Sequence, residues 1–151
     1  MKVTEAPADW SGKYLIVFET SAHATLSSKD LVATVSDLNI TENRISATKI
    51  LETATFIVEK SGTSYTMKYP DGSNYFAPAH NSSSSSSSPF DLTFSYTKNG
   101  VEISGYVAAK SNNYILYNNN NSYYRCYVSK TNQDGTLTAN YSLPDLYRLE
   151  D

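Results

Sequence analysis

Apolar and polar residues alternate along most of this chain, and the alternation is plainest from Ser64 to Pro78. There Tyr65, Met67 and Tyr69 interleave with Thr66 and Lys68, the period of two that puts one face of a strand on a core and the other in water. Pro70, Asp71 and Gly72 follow, a tight-turn sequence because Pro presets φ and Gly accepts positive φ. Asn74-Tyr75-Phe76-Ala77 then returns, so the stretch predicts a β-hairpin. Upstream, Tyr14-Leu15-Ile16-Val17-Phe18 is the most apolar run, too short for a helix and rich in strand formers. It predicts a central strand, with His23-Ala24-Thr25-Leu26 returning beside it. Val32 to Ile40 with Arg44-Ile45-Ser46 predicts a second hairpin around Thr41-Glu42-Asn43, and Thr55 to Glu59 predicts a further strand. Pro7, Asp9, Ser11 and Gly12 predict a lead-in turn that holds Trp10 as a plug over one end of the core.

The consecutive serines Ser82 to Ser88 offer no apolar area to offset their ordering entropy, which predicts a solvated loop whose shortening would change stability little. Alternation resumes at Phe90, Leu92, Phe94 and Tyr96, and Asn99-Gly100 is a strong hairpin signal. Strands are predicted over Val101 to Val107, Asn113 to Tyr117 and Tyr123 to Val128, with turns around Lys110 to Asn112 and at Asn118 to Asn121. A loop through Asn132-Gln133-Asp134-Gly135 leads to Leu137-Thr138-Ala139, and Leu146-Tyr147-Arg148-Leu149 predicts the last strand. That strand is expected to pair with Tyr14 to Phe18, whose edge would otherwise be exposed.

Strand openings at Tyr14-Leu15-Ile16, Tyr65-Thr66-Met67 and Val101-Glu102-Ile103 match closings at Phe56-Ile57-Val58, Leu92-Thr93-Phe94 and Leu146-Tyr147-Arg148. Three units of roughly four short strands result. The fold class expected is all-β. About twelve short strands in three units, the first and last paired, resemble a β-trefoil, a short closed barrel capped by hairpins. An antiparallel barrel of about eight to ten strands is the alternative. The sugar-binding trefoils of the ricin type carry Gln-x-Trp near each unit's end, and this chain has no Gln-x-Trp, so that lectin site does not carry over.

Composition narrows the reading. With 151 residues the chain has the length of one domain, able to bury roughly 68–70% of its unfolded surface. Tyr is abundant, 13 residues against 5 Phe and 1 Trp, as suits half-buried strands whose hydroxyls reach water. A formal net charge of -3 with scattered Lys and Arg gives no footprint for nucleic acid. Cys126 stands alone, which excludes an internal disulfide and reads as a small apolar strand residue. No apolar run approaches the roughly 20 residues of a membrane span, and Met1-Lys2-Val3-Thr4 lacks the apolar core of a signal peptide. A polar domain starting without a leader predicts a piece of a longer secreted protein.

Ala6-Pro7-Ala8-Asp9-Trp10-Ser11-Gly12-Lys13-Tyr14-Leu15-Ile16-Val17, Phe56 to Lys60, Asn113 to Asn118 and Leu146 to Leu149 resemble accessory modules of large surface and secreted proteins of gut Bacteroidetes. The resemblance covers nearly all of the chain. It implies an accessory module, secreted or at the cell surface, beside other domains and with no established chemistry of its own; a monomer is expected.

Candidate chemistry is thin. His23 and His80 are far apart and lack an Asp or Glu at a spacing that presets a pair. Asp71, Asp91, Asp134 and Asp145 fall in turns or at strand ends, without a calcium-loop pattern. Neither a phosphate-binding glycine loop nor a Gly-x-Ser-x-Gly elbow occurs. The expectation is a chain with no enzymatic activity, no cofactor and no metal. What remains is recognition. Tyr106, Tyr114, Tyr117, Tyr123, Tyr124 and Tyr127 crowd among Asn112, Asn113 and Asn118 to Asn121. Aromatic faces and amides are what sugar rings need, one for the apolar face and the other for hydroxyls. Tyr106, Tyr114, Tyr117, Tyr123, Tyr124 and Asn118 are therefore the candidate ligand-binding residues, for a glycan or another surface protein. The competing reading makes these tyrosines sheet staples and the asparagines turn formers, in a ligand-free spacer or protein-interaction domain.

Overall fold

The structure, a computed structural model, describes residues 1–46, 48–107, 112–128 and 140–149. It is all-β. The first third holds β1 (Gly12–Phe18), β2 (Ser21–Ser27), β3 (Asp30–Val35), the two-residue strands β4 (Ile40–Thr41) and β5 (Arg44–Ile45), and β6 (Phe56–Ser61). Next come β7 (Ser64–Lys68), β8 (Tyr75–Ala79), β9 (Ser82–Ser86) and β10 (Thr93–Thr97). The chain closes with β11 (Gly100–Tyr106), β12 (Asn112–Asn118), β13 (Tyr123–Tyr127), β14 (Tyr141–Ser142) and β15 (Asp145–Leu149). A short 3₁₀ helix, Lys49–Ala54, precedes β6 and buries Leu51 and Ala54.

The apolar run Tyr14 to Val17 is buried on both faces, the pattern of a strand covered from two sides. Along one edge it pairs antiparallel with β15, from Lys13↔Leu149 to Val17↔Asp145. Its other edge is shared, with β6 opposite Gly12 to Tyr14 and β2 opposite Val17 and Phe18. First and last strands thus meet as the sequence requires. The β7–β8 hairpin forms as well, with Gly72 at φ +74 in its turn and the Asp71 carboxylate accepting from the amides of Ser73 and Asn74. Trp10 is buried and packs on Phe94 at 5.5 Å. Cys126 is a buried free thiol whose pKa burial pushes up to about 12.

Three local expectations change. The hairpin placed over Val32 to Ile40 is smaller, because β3 ends at Val35 and only Ile40↔Ile45 and Thr41↔Arg44 pair. Glu42 and Asn43 make its turn, both with positive φ. At Asn99-Gly100, Gly100 is already on the returning strand opposite Thr97, so Lys98 and Asn99 form the turn. The serine tract is the larger correction. Ser82 to Ser86 is a strand that pairs with β8 from Ala79↔Ser82 to Tyr75↔Ser86. Ser83 is 1% exposed, its amide donates to the Lys29 carbonyl, and its hydroxyl lies 3.8 Å from the Cys126 sulfur. The Tyr69 hydroxyl donates to the Ser84 carbonyl, and the Ser84 hydroxyl donates to that of Ala77. Backbone pairing and neighbouring aromatics order this segment, and the small side chain lets β9 sit close to β3 and β13. The predicted loop at Asn132 to Gly135, the strand Leu137 to Ala139 and most of the turn around Lys110 lie outside the described residues.

The main ladder runs β10-β11-β12-β13-β3-β2-β1-β6-β7-β8-β9, with β14 on β12 and β15 on β1. Its order is open: the strands form one large antiparallel sheet, without the continuous strand pairing of the expected closed barrel. Where closure would occur the contacts are sparse: Tyr65 and Leu92 exchange backbone hydrogen bonds of 2.9 and 2.7 Å between β7 and the approach to β10, and the Val101 amide donates to the Pro144 carbonyl. Curvature brings one face of the sheet onto a single cluster of buried side chains that includes Phe56, Phe94 and Leu146. Gly105 marks a tight crossing, since a Cβ there would lie 2.7 Å from Pro78 and 2.8 Å from Phe90.

Because Ser83 is enclosed and Ser88 is exposed, Ser83→Leu should lower stability by about 1–3 kcal/mol through overpacking, whereas Ser88→Leu should stay within about 0.5 kcal/mol. Thermal melts followed by circular dichroism measure both. Equal melting temperatures for the two variants would return the tract to a loop.

Candidate functional site

The aromatic residues nearest the predicted cluster converge where the β1–β2 turn meets the β12–β13 turn. Phe18 ends β1, and the chain reverses through Glu19 at φ +53 and Thr20 before β2 begins. On the other side β12 ends at Asn118. Its backbone carbonyl accepts from the amides of Asn121 and Ser122, and its side-chain oxygen accepts from the Asn120 amide at 3.0 Å. The asparagine run therefore builds the turn, as Asn favours where a side chain can replace a backbone acceptor. Between the two turns lies a cleft of about 600 Å³ whose lining includes Phe18, Glu19, Thr20, Tyr117, Asn119 and Ser122.

Its wall is an aromatic stack. Phe18 and Tyr117 lie parallel, 3.6 Å between centroids at 6°. His23 meets Tyr117 and Tyr124 edge-on at 5.5 and 5.0 Å, and Tyr117 meets Tyr124 at 5.0 Å. Tyr124 is fully buried and donates to the Val17 carbonyl at 2.9 Å, which anchors the stack to the central strand. Phe18 is half-buried and is the ring that presents surface to the cleft. His23 is 2% exposed, and its Nδ1–H donates to the Ser21 carbonyl at 3.1 Å. Burial pushes its imidazole below the ordinary value, against the smaller raising effect of that carbonyl. A neutral ring results at pH 7. Glu19 is the single carboxylate among the described residues of the lining.

Of the residues singled out from sequence, Tyr117 lines this cleft, Tyr124 stands behind it in the core and Asn118 is a buried turn former. Tyr123 is half-buried at the start of β13, its ring beneath the Arg125 guanidinium at 5.0 Å and its hydroxyl accepting from Asn121 at 3.3 Å. Tyr106 and Tyr114 are not brought to the cleft. Tyr106 is 62% exposed opposite Asn112, at the other end of β12, and Tyr114 is half-buried between Ser104 and Tyr127 in the ladder. Sequence reasoning overlooked Phe18, Glu19 and Ser122. The available signal was the polar pair Glu19-Thr20 directly after the most apolar run, which marks a turn at the end of a central strand.

Among the described residues no group of three or more His, Cys, Asp or Glu side chains converges to hold a metal ion. No helix among them is long and apolar enough to cross a membrane. No family model, curated protein or solved structure matches the chain.

The lowered His23 pKa makes a pH prediction. Between the folded value and the unfolded value near 6.5, the unfolded chain binds more protons, so stability falls as pH falls through that window. Thermal melts should show the melting temperature dropping as pH is lowered from 6.5, and His23→Phe should flatten the drop. The same slope in the variant would assign it to another group.

Proposed function

We propose that this chain is a non-catalytic, carbohydrate-binding accessory module of a larger secreted or cell-surface protein, and that the sugar occupies the Phe18–Tyr117 cleft. The observation that carries the reading is the half-buried Phe18 ring, backed by Tyr117 and bordered by the hydroxyls of Thr20 and Ser122 and the amide of Asn119. An aromatic face takes the apolar C–H face of a pyranose, and short neutral donors and acceptors take its hydroxyls. With His23 neutral and no lysine or arginine in the described lining, the Glu19 carboxylate leaves the cleft weakly negative, which suits an uncharged, hydroxyl-donating sugar over an anionic one. The resemblance to accessory modules supports the location and the modular role.

For the architecture we propose a trefoil-like plan. Six strands, β1, β6, β7, β10, β11 and β15, would form the ring, and the hairpins β2–β3, β8–β9 and β12–β13 would cap it. The ladder pairs β15 with β1, β1 with β6, β6 with β7 and β10 with β11. The Tyr65–Leu92 bridge and the Val101–Pro144 hydrogen bond would lie at the two seams. The three hairpins also touch one another, through Tyr124↔Leu31 and through Ser83 donating to Lys29.

Glycan arrays followed by calorimetry test the first proposal. The combined Phe18→Ala and Asn119→Ala variant should weaken binding of a neutral oligosaccharide by about tenfold or more, or roughly 1.4 kcal/mol, while Tyr106→Ala leaves it unchanged. Absence of saturable binding at millimolar glycan would favour the spacer reading. For the second, the amides of Tyr65, Leu92 and Val101 should exchange hydrogen as slowly as the paired amides of β1. Rapid exchange at those three positions alone would mean an open sheet.

A further inference from the structure

A second cleft, of about 660 Å³, lies away from the aromatic stack, between the 3₁₀ helix, β5, β6 and β15. Its floor is aliphatic: Leu51 is buried beneath it, and Ile45, Ile57 and Leu149 are half-buried around it. Its polar lining is unlike that of the first cleft. Lys13, Arg44 and Arg148 reach it, against Glu52 as the one acidic side chain among the described residues of the lining.

These cations differ in how they are held. Arg148 is fixed, since its guanidinium donates to the Ser11 carbonyl and sits 5.7 Å from the Tyr14 ring centroid. Lys13 and Arg44 are exposed and have neither an ion-pair nor a side-chain hydrogen-bond partner among the described residues. The chain as a whole carries a formal charge of -3, so a cleft in which cations outnumber carboxylates among the described residues runs against the overall balance. Unpaired cations at the rim of an aliphatic floor favour a ligand with one anionic head and an apolar body. Inorganic phosphate would leave the floor unused, and a neutral lipid would leave the cations unused.

We infer that this cleft is a binding site for a small amphiphilic monoanion of the medium-chain carboxylate class. The carboxylate is held between Lys13 and Arg44, and the alkyl chain lies on Leu51, Ile57 and Leu149. The site is independent of the sugar cleft.

Calorimetric titration of the full chain with octanoate, 1-octanol, acetate and inorganic phosphate tests it. Octanoate should bind saturably, and the other three at least about tenfold more weakly. The double variant Lys13→Ala/Arg44→Ala, checked for native circular dichroism, should weaken octanoate about tenfold or more and reduce the salt dependence of its binding. Both side chains are exposed, so the variant keeps the core intact. Octanol binding as tightly as octanoate, phosphate binding as tightly as octanoate, octanoate affinity unchanged in the variant, or no saturation by octanoate would each overturn the inference.

Discussion

The antiparallel pairing of β1 with β15 is the constraint on which the rest of the structure depends. In β1 the run from Tyr14 to Val17 is covered on both faces, and burying Leu15, Ile16 and Val17 contributes roughly 1.5–3 kcal/mol each. One of its edges is filled by β15. The other is divided, with β6 taking the first residues and β2 the last. That division matters for the cleft. Because β2 pairs only with Val17 and Phe18, the turn at Glu19 and Thr20 leaves the sheet there and carries Phe18 to the surface beside Tyr117. The Tyr124 hydroxyl then ties the β12–β13 pair back to β1 at Val17. Pairing of the chain's ends, through the core strand, thus sets the positions of both walls of the aromatic cleft.

Much of this was legible in the sequence because it depends on local chemistry. Period-two alternation located β7, β10 and β11, the apolar run located β1, and Pro70-Asp71-Gly72 located a turn that its carboxylate indeed closes. The partnership of first and last strands followed from the need to cover an apolar edge. What misled was the assumption that order requires apolar side chains. In β9 the serines contribute little area, and the segment is ordered by what lies around it: β8 along its edge, the Tyr69 hydroxyl on Ser84 and the Lys29 carbonyl on Ser83. Those partners are remote in sequence. The 3₁₀ helix was missed for a related reason, since Lys49 to Ala54 offers one turn's worth of apolar residues, too few for a periodic signal.

The site was half legible. Tyrosines and asparagines crowd the region of β12 and β13, but composition cannot say which way a strand residue faces, and one-residue alternation sends neighbours to opposite sides. Tyr123 is half-buried while Tyr124 is fully enclosed, and Tyr117 is drawn toward Phe18 by stacking. Of the asparagines, read as amides for a ligand, Asn118 serves the turn, Asn121 donates to the Tyr123 hydroxyl, and Asn119 lines the cleft with its side-chain oxygen accepting from Ser142. Phe18 and His23 come from the far end of the chain, and no local pattern joins them to Tyr117.

The most direct measurement of the central claim is a two-dimensional amide NMR titration of the labelled chain with neutral oligosaccharides. Carbohydrate binding in the aromatic cleft predicts saturable shift changes concentrated at Phe18 to Ser21 and Asn119 to Ser122. Spectra that do not change at millimolar sugar, or changes centred on Tyr106 and Tyr114 with the two turns silent, would contradict it.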